Sequence, residues 1–170
     1  MYAISKKSKY ALRALFELAR RYNQGPVLIA GLSQRQRIPK KFLELILLEL
    51  RNKGILGSKK GKGGGYFLAR APSAISLGEI IRALDGPLAP VPCVSQSAYR
   101  TCEECEDEAT CGIRAVMQDV RDTTAQILVG KAWRMGLDVK SRLNRKEIRY
   151  RSTPSDFLCH LLYSVNRLTR

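Results

Sequence analysis

The stretch ILGSKKGKGGGYFLAR, residues 55–70, decides the fold. Two short apolar runs, 55–56 and 66–68, flank a loop made only of Gly, Ser and Lys, and this pattern predicts a β-hairpin with a basic, glycine-rich tip. Glycine-rich loops also bind nucleotide phosphates, but that motif needs Gly-Lys-Ser/Thr at the start of a helix. Here the glycines lead into Tyr-Phe-Leu, which is typical of a strand. The stretch therefore indicates a hairpin and not a nucleotide-binding loop.

Three helices are predicted before the hairpin. Residues 6–22 place apolar side chains three and four positions apart, behind Ser5 as the N-cap. A shorter helix is expected around residues 29–36, and a third begins at Pro39 and closes at Gly54. Three helices and a hairpin make a winged helix-turn-helix, in which the later helix of the pair enters the major groove of DNA. The apolar side of the third helix is predicted to consist of Phe42, Leu43, Ile46, Leu47 and Leu50.

Two further helices are predicted after the hairpin. Ser76 caps the first, with Glu79 three positions on as a capping box. The second follows Cys111, and its single apolar stripe favours pairing with a second copy in a two-fold dimer over packing back on its own domain. The predicted fold class is mainly α with a small β-hairpin wing, a winged helix-turn-helix domain plus a long dimerisation helix. The stripe comprises Ile113, Val116, Met117, Val120, Thr124, Ile127 and Leu128.

Positive charge is unevenly distributed along the chain. The net charge is +15, and residues 1–92 carry 17 Lys/Arg against 5 Asp/Glu, whereas residues 93–122 carry 3 against 7. A basic module followed by an acidic cysteine loop favours a polyanion-binding unit joined to a separate chemical unit, over a charge that only aids solubility. The expected partner is double-stranded DNA.

Neither a membrane span nor a secretory signal is apparent in the sequence. No run of 18 or more apolar residues is present, so no membrane association is expected. The N-terminus lacks an uninterrupted apolar core followed by a cleavage site, so the expected location is the reducing cytoplasm. In that compartment clustered cysteines are interpreted first as metal ligands or redox groups.

Four of the five cysteines fall in CVSQSAYRTCEECEDEATC, residues 93–111. Tetrahedral zinc could bind them, but zinc sites usually show two close pairs, and only Cys102 and Cys105 are close here. Iron–sulfur clusters are also held by thiolates, often by four of them. A further alternative is a metal-free switch in which thiols such as Cys102 and Cys105 form a disulfide on oxidation. The spacing leaves these alternatives open for the four candidate ligands Cys93, Cys102, Cys105 and Cys111.

Three motifs make the chain resemble a known family over residues 1–128. They are SKKSKYALRALFELA at 5–19, IPKKFLELILLELRNKGIL at 38–56, and SKKGKGGGYFLARAPSAISLGEIIRALDGP at 58–87. The last is the most specific, because it contains a basic residue, Gly, any residue, and then Gly-Gly-Gly-Tyr. On these motifs the chain resembles the Rrf-two family of bacterial winged-helix transcription regulators, which includes IscR, NsrR, RirA and CymR.

The resemblance implies a cytoplasmic homodimer that binds a palindromic promoter operator, usually as a repressor, and that is not an enzyme. Many members hold an iron–sulfur cluster on three loop cysteines, and the family spacing of five intervening residues is kept by Cys105 and Cys111, with Cys93 as the first ligand after a longer gap. IscR-like members place a histidine where this chain has Arg114, and NsrR-like members use an aspartate near Lys9. Cys102 is therefore the expected fourth ligand, of a 2Fe–2S or a 4Fe–4S cluster.

Position and charge select the expected DNA contacts. Lysines at the start of the third helix face the groove, and Glu44 can accept a hydrogen bond from a cytosine amino group. Side chains of the second helix position it on phosphates, and the wing lysines lie where glycines let the backbone approach the DNA. The expected DNA-binding residues are Lys9, Gln34, Arg35, Lys40, Lys41, Glu44, Lys59, Lys60 and Lys62.

The predicted organisation has four parts. Residues 1–85 form the DNA-binding domain, 86–111 the cysteine-rich cluster-binding loop, 112–130 the dimerisation helix, and 131–170 a basic tail without an assigned role. The expected function is a DNA-binding regulator, a repressor, whose operator binding is controlled by an iron–sulfur cluster or by the redox state of the cysteine loop. The alternative is a zinc- or thiol-based redox switch without iron.

Two other classes of function compete with this one. A metal-dependent redox enzyme would need acid or base groups near the cysteines, whereas the only histidine, His160, lies far off in the tail. An architectural nucleic-acid binder with a zinc-stapled loop would show little sequence preference.

Overall fold

The computed structural model describes residues 4–130, which form five helices and one two-stranded antiparallel sheet. No helix within this part of the chain is long and apolar enough to cross a membrane. The predicted basic tail at 131–170, with Cys159 and His160, lies outside the described residues. The elements are α1 (Lys6–Arg20), α2 (Ile29–Gln36), α3 (Lys40–Asn52), β1 (Leu56–Lys59), β2 (Gly65–Leu68), α4 (Leu77–Asp85) and α5 (Gly112–Gly130), with 3₁₀ turns at Pro72–Ala74 and Pro92–Val94.

The core lies between α1, α3 and α4. Each helix contributes one apolar face, and burying one leucine or isoleucine side chain stabilises the fold by about 1.5–3 kcal/mol. The prediction for α3 was wrong at one position, since Phe42 is exposed at the rim, where its ring meets the edge of Tyr10 at a centroid distance of 5.8 Å. The fully buried side chains include Leu15, Leu43, Ile46, Leu47, Leu50, Ile75, Ile80 and Ile81.

Polar contacts at the start of α1 connect it to the ends of α3 and α4. Ser5 caps α1 as predicted, with its Oγ accepting from the Ser8 N–H at 3.0 Å. The backbone N–H of Ser5 donates to Asp85 at 3.1 Å, and Lys7 Nζ pairs with Glu49 at 2.8 Å. Burial opposes ionisation of Asp85, but the hydrogen bonds from Ser5 and the charge of Lys7 lower its pKa overall. These contacts hold the three core helices in one arrangement.

The hairpin forms as predicted and is anchored to the body of the domain. Its register pairs Leu56 with Leu68 and Lys59 with Gly65. Val27, which precedes α2, exchanges two backbone hydrogen bonds with Tyr66, at 2.9 and 3.0 Å. The wing therefore projects from a base that is fixed both to the core and to the entry of α2.

Helix α5 lies against α4 and leaves an apolar stripe in solvent. Leu128 and Val129 pack over Gly78, where an added Cβ would be 3.3 Å from a Val129 methyl group. On its other side α5 exposes large apolar side chains at Ile113, Val116, Val120 and Ile127. Of the predicted stripe these four residues are exposed, whereas Met117, Thr124 and Leu128 are half-buried and Leu128 packs on α4.

The wing base generates a prediction about two glycines. Gly65 has a φ of +149°, and a Cβ there would lie 2.3 Å from the Val27 carbonyl oxygen, whereas Gly61 at the tip has a φ of +89° and open space around it. We expect Gly61→Ala to cost about 1 kcal/mol of unfolding free energy from backbone strain alone. Gly65→Ala should cost roughly 3 kcal/mol, because the clash also breaks the contact with Val27. Urea denaturation of both variants checks this, and equal losses would contradict the described wing base.

Candidate functional site

All four cysteines of the 93–111 loop line one cavity of about 510 Å³. Cys93 is buried in the 3₁₀ turn, and the other three are half-buried in the irregular loop that follows. All four are free thiols. The loop folds back on the N-terminus of α5, which is why residues up to eighteen positions apart face the same space. Among the described residues, however, no three His, Cys, Asp or Glu side chains are already gathered around one metal-sized point.

Cys105 is the centre of the thiol group. Its Sγ lies 3.5 Å from that of Cys111, and it also hydrogen-bonds with the thiol of Cys102. The hydrogen bond with Cys102, followed by that with Cys111, raises the pKa of Cys105 to about 12. In this arrangement the Cys105 thiol is the donor to the sulfur of Cys111.

Cys111 occupies the position just before α5 and has the opposite tendency. Its Sγ accepts from the backbone N–H of Arg114 at 3.4 Å, and its carbonyl accepts from Ala115 at 3.2 Å. The hydrogen bond from Arg114 is the main cause of a lowered pKa for Cys111. A thiolate at a helix N-terminus is favoured by the unpaired N–H groups and the helix dipole.

Glu108 is the residue that holds the loop together. Its carboxylate accepts from the Tyr99 hydroxyl at 2.8 Å and from the Cys102 backbone N–H at 3.2 Å, and it forms an ion pair with Arg114 at 3.5 Å. The hydrogen bond from Tyr99, followed by that from Cys102, lowers the pKa of Glu108, and the same bond raises the pKa of Tyr99. Sequence reasoning missed this role, because Glu108 is one of five acidic residues in a row of six without a distinctive spacing.

Arg121 connects the cavity to α5. Its Nη1 donates to the carbonyl oxygen of Val94 at 2.6 Å, and its side chain is only 14% exposed. Val94 follows Cys93 directly. Arg121 therefore links the residue after Cys93 to the middle of α5.

The expected DNA-binding residues lie on the exposed surface of residues 4–130. Lys40, Lys41 and Glu44 lie in the first half of α3, with Lys40 Nζ 4.0 Å from Glu44. Arg35 differs from the rest, because its guanidinium pairs with the buried Glu17 at 3.0 Å and so helps to join α2 to α1. Contact of these side chains with DNA stays a prediction. The remaining exposed residues of the set are Lys9 on α1, Gln34 on α2, and Lys59, Lys60 and Lys62 on the wing.

Comparison with known proteins found related sequences and similar structures. Residues 4–131 match the sequence model of the Rrf2 family, described as "Iron-dependent Transcriptional regulator". An rrf2-like HTH-type regulator of Rhodobacter capsulatus is 48% identical over 120 residues, which cover 69% of this chain and 80% of that protein. IscR of Escherichia coli is 32% identical over 119 residues, 70% of each chain. The structure of CymR, described as the global cysteine regulator of B. subtilis, aligns with a TM-score of 0.66 and 32% identity over 84% of this chain and 98% of that one.

The acidic network generates a prediction about Glu108. Glu108→Ala removes the acceptor for Tyr99 and Cys102 and the partner of Arg114, so the loop should open more often. We expect the Cys102 amide to exchange its hydrogen several-fold faster, because its acceptor is gone and the loop opens more often. The measurement is amide hydrogen exchange on the metal-free, reduced protein.

Glu106→Ala is the matched control for this variant. Glu106 is an exposed carboxylate of the same acidic run, so its removal changes the charge equally. Equal acceleration of exchange in the two variants would show that charge, and not the Glu108 contacts, holds the loop.

Proposed function

The chain belongs to the Rrf2 family of transcriptional regulators, and from that premise we propose that an iron–sulfur cluster on Cys93, Cys102, Cys105 and Cys111 controls its binding to a palindromic promoter operator. It acts as a homodimer and represses transcription. The observation that carries this proposal is that four free thiols line one cavity formed by the Pro92–Val94 turn, the loop that follows it and the start of α5.

The donor set fits such a cluster. Four thiolates are the usual ligands of both 2Fe–2S and 4Fe–4S clusters, and a bound cluster supplies a reversible one-electron centre whose loss can be sensed. Thiols spread around a cavity suit a group of several iron atoms better than a single zinc ion, which needs its ligands on one tetrahedron. Arg114 also lines the cavity, and its Nε lies 3.5 Å from the carboxylate of Glu108, so its charge is already paired within the loop.

The chain's own contacts provide the path from the cavity to DNA. Arg121 ties the Cys93 segment to α5, and α5 packs over Gly78 of α4, which shares the core with α1 and α3. A cluster that orders the cysteine loop would therefore change the preferred position of α5 relative to α3. In a dimer built on α5, that shift changes the spacing of the two recognition helices and hence the operator affinity.

The positively charged surface supports the DNA-binding part of the proposal. Exposed lysines occur on α1, on the first half of α3 and on the wing, and a winged helix uses these elements on phosphates and base edges. Phosphate neutralisation releases counterions, so the affinity should fall steeply with salt concentration.

A thiol switch without iron is the second candidate, and one distance favours it. The sulfurs of Cys105 and Cys111 are in contact at 3.5 Å and would have to approach to about 2.05 Å to form a bond. Oxidation by a peroxide or a disulfide would remove two protons and two electrons from this pair and join the sulfurs, which would constrain the loop at the start of α5. The pair differs from Cys102 and Cys105, which the sequence spacing pointed to.

The ligand assignment can be tested with single cysteine variants of the full chain. Protein purified without oxygen should be coloured and contain iron and inorganic sulfide. Cys93→Ala, Cys102→Ala, Cys105→Ala and Cys111→Ala should each lose most of the visible absorbance and bound iron, because each removes one thiolate. Cys159→Ala, outside the loop, should retain both.

The outcomes separate the candidates. Colourless wild-type protein that contains zinc would overturn the cluster. Colourless, metal-free protein in which peroxide produces a Cys105–Cys111 disulfide would favour the thiol switch. A coloured Cys102→Ala variant with full iron content would contradict Cys102 as the fourth ligand.

The exposed stripe of α5 generates a prediction about assembly. Val120→Glu places a charge in the middle of the stripe, and burying it against a second copy would cost several kcal/mol. We expect this variant to sediment as a monomer at micromolar concentration while the wild type sediments as a dimer. Gln118→Glu is the control, since it adds the same charge to the opposite side of α5 and should stay dimeric. A dimeric Val120→Glu variant would show that the stripe is not the interface.

A further inference from the structure

Helix α3 presents an apolar side chain at the centre of its outward face. The inward face is buried in the core, and the outward face runs along Lys41, Leu45 and Leu48, at helical spacings of four and three. Leu45 is 64% exposed and Leu48 is 40% exposed. Leu45 does not belong to the buried core of the described residues, so its side chain is accessible to a molecule that contacts this face.

The surroundings of Leu45 point to nucleic acid and not to a second copy of the chain. Lys40 and Lys41 begin the helix, and its first turn has no acidic residue. The two carboxylates that flank Leu45 on the helix are paired with lysines, Glu44 with Lys40 at 4.0 Å and Glu49 with Lys7 at 2.8 Å. A copy of this face would bring the same cations together and be repelled. A DNA groove has the opposite charge and attracts them.

The major groove offers one apolar group to such a side chain. Among the base edges it displays, only thymine carries a methyl group, and aliphatic side chains read thymine by contact with it. Residues near the N-terminus of a recognition helix reach base edges. Leu45 is the sixth residue of α3, next to Glu44, whereas Leu48 lies almost one turn further along.

We propose that Leu45 is a specificity-determining residue that packs against the C5-methyl group of a thymine in each operator half-site. The proposal rests on the DNA binding proposed above and is independent of the cysteine loop. Leu45 then supplies apolar readout beside the polar readout by Glu44. Sequence periodicity did not single it out, because a leucine on α3 is expected in the core.

The test begins with selection of binding sites. Full-length protein selects sites from a random double-stranded DNA library, and each conserved thymine of the enriched half-site is replaced by deoxyuridine, which lacks only the methyl group. At one thymine we expect the wild-type affinity to fall about fourfold per half-site, the value for one methyl-sized group left unburied. Leu45→Ala should bind the thymine site more weakly than the wild type and show no further loss with deoxyuridine there.

Leu28→Ala is the matched control, because Leu28 is also strongly exposed but lies before α2. This variant should keep the full deoxyuridine effect. Equal deoxyuridine effects in the wild type and Leu45→Ala, or no effect at any thymine, would overturn the role of Leu45 while leaving operator binding intact. A library without any enriched site would instead overturn sequence-specific DNA binding itself, and this inference with it.

Discussion

Burial of one face of α3 is the constraint on which the rest of the structure depends. Leu43, Ile46, Leu47 and Leu50 are almost completely excluded from solvent against α1 and α4. Because these four side chains occupy one side of α3, their burial makes the opposite side, with Lys41 and Leu45, point outward. The same core holds α4 in place, and α4 carries α5. The surface proposed to read DNA and the helix proposed to form the dimer are therefore positioned by one set of apolar contacts.

The cysteine loop is organised differently, by polar contacts of individual residues. Glu108 gathers Tyr99, Cys102 and Arg114, while the N-terminus of α5 receives the sulfur of Cys111. Contacts of this kind are individually weak because water can replace either partner. A loop built from them can change state without unfolding the domain beneath it, as the proposed sensing role requires. Arg121 links that change to α5 through the Val94 carbonyl.

Much of the fold could be predicted from the sequence, because periodicity and capping residues report directly on local structure. The bounds of α2 and the N-caps Ser5 and Ser76 were confirmed, and the hairpin lies where it was predicted. Its first strand is longer than predicted, because residues 57–59 belong to β1 and not to the loop. Helix α1 ends at Arg20, two residues earlier than predicted, where the chain turns towards Asn23 with its positive φ. Family membership was also confirmed, from motifs that lie in α1, in α3 and between the wing and α4.

The details of the site could not be predicted in the same way. Contacts such as that of Glu108 with the Cys102 amide, or of Cys105 with Cys111, depend on the path of an irregular loop, which has no period to read. The pairing of Arg35 with Glu17 could not be predicted either, because it joins two helices and depends on how they pack together. Whether Leu45 is exposed depends on the rotation of α3 about its own axis. A leucine within an apolar run can lie either on the buried face of the helix or on its exposed face.

Control of operator binding by the occupant of the cysteine cavity can be measured directly. The measurement is the affinity of one anaerobic preparation for one selected operator, determined by fluorescence anisotropy before and after removal of iron, with Cys105→Ala treated in parallel. We expect a change of roughly tenfold or more for the wild type, within the usual range of allosteric coupling, and no change for Cys105→Ala. Equal wild-type affinities before and after iron removal would contradict it.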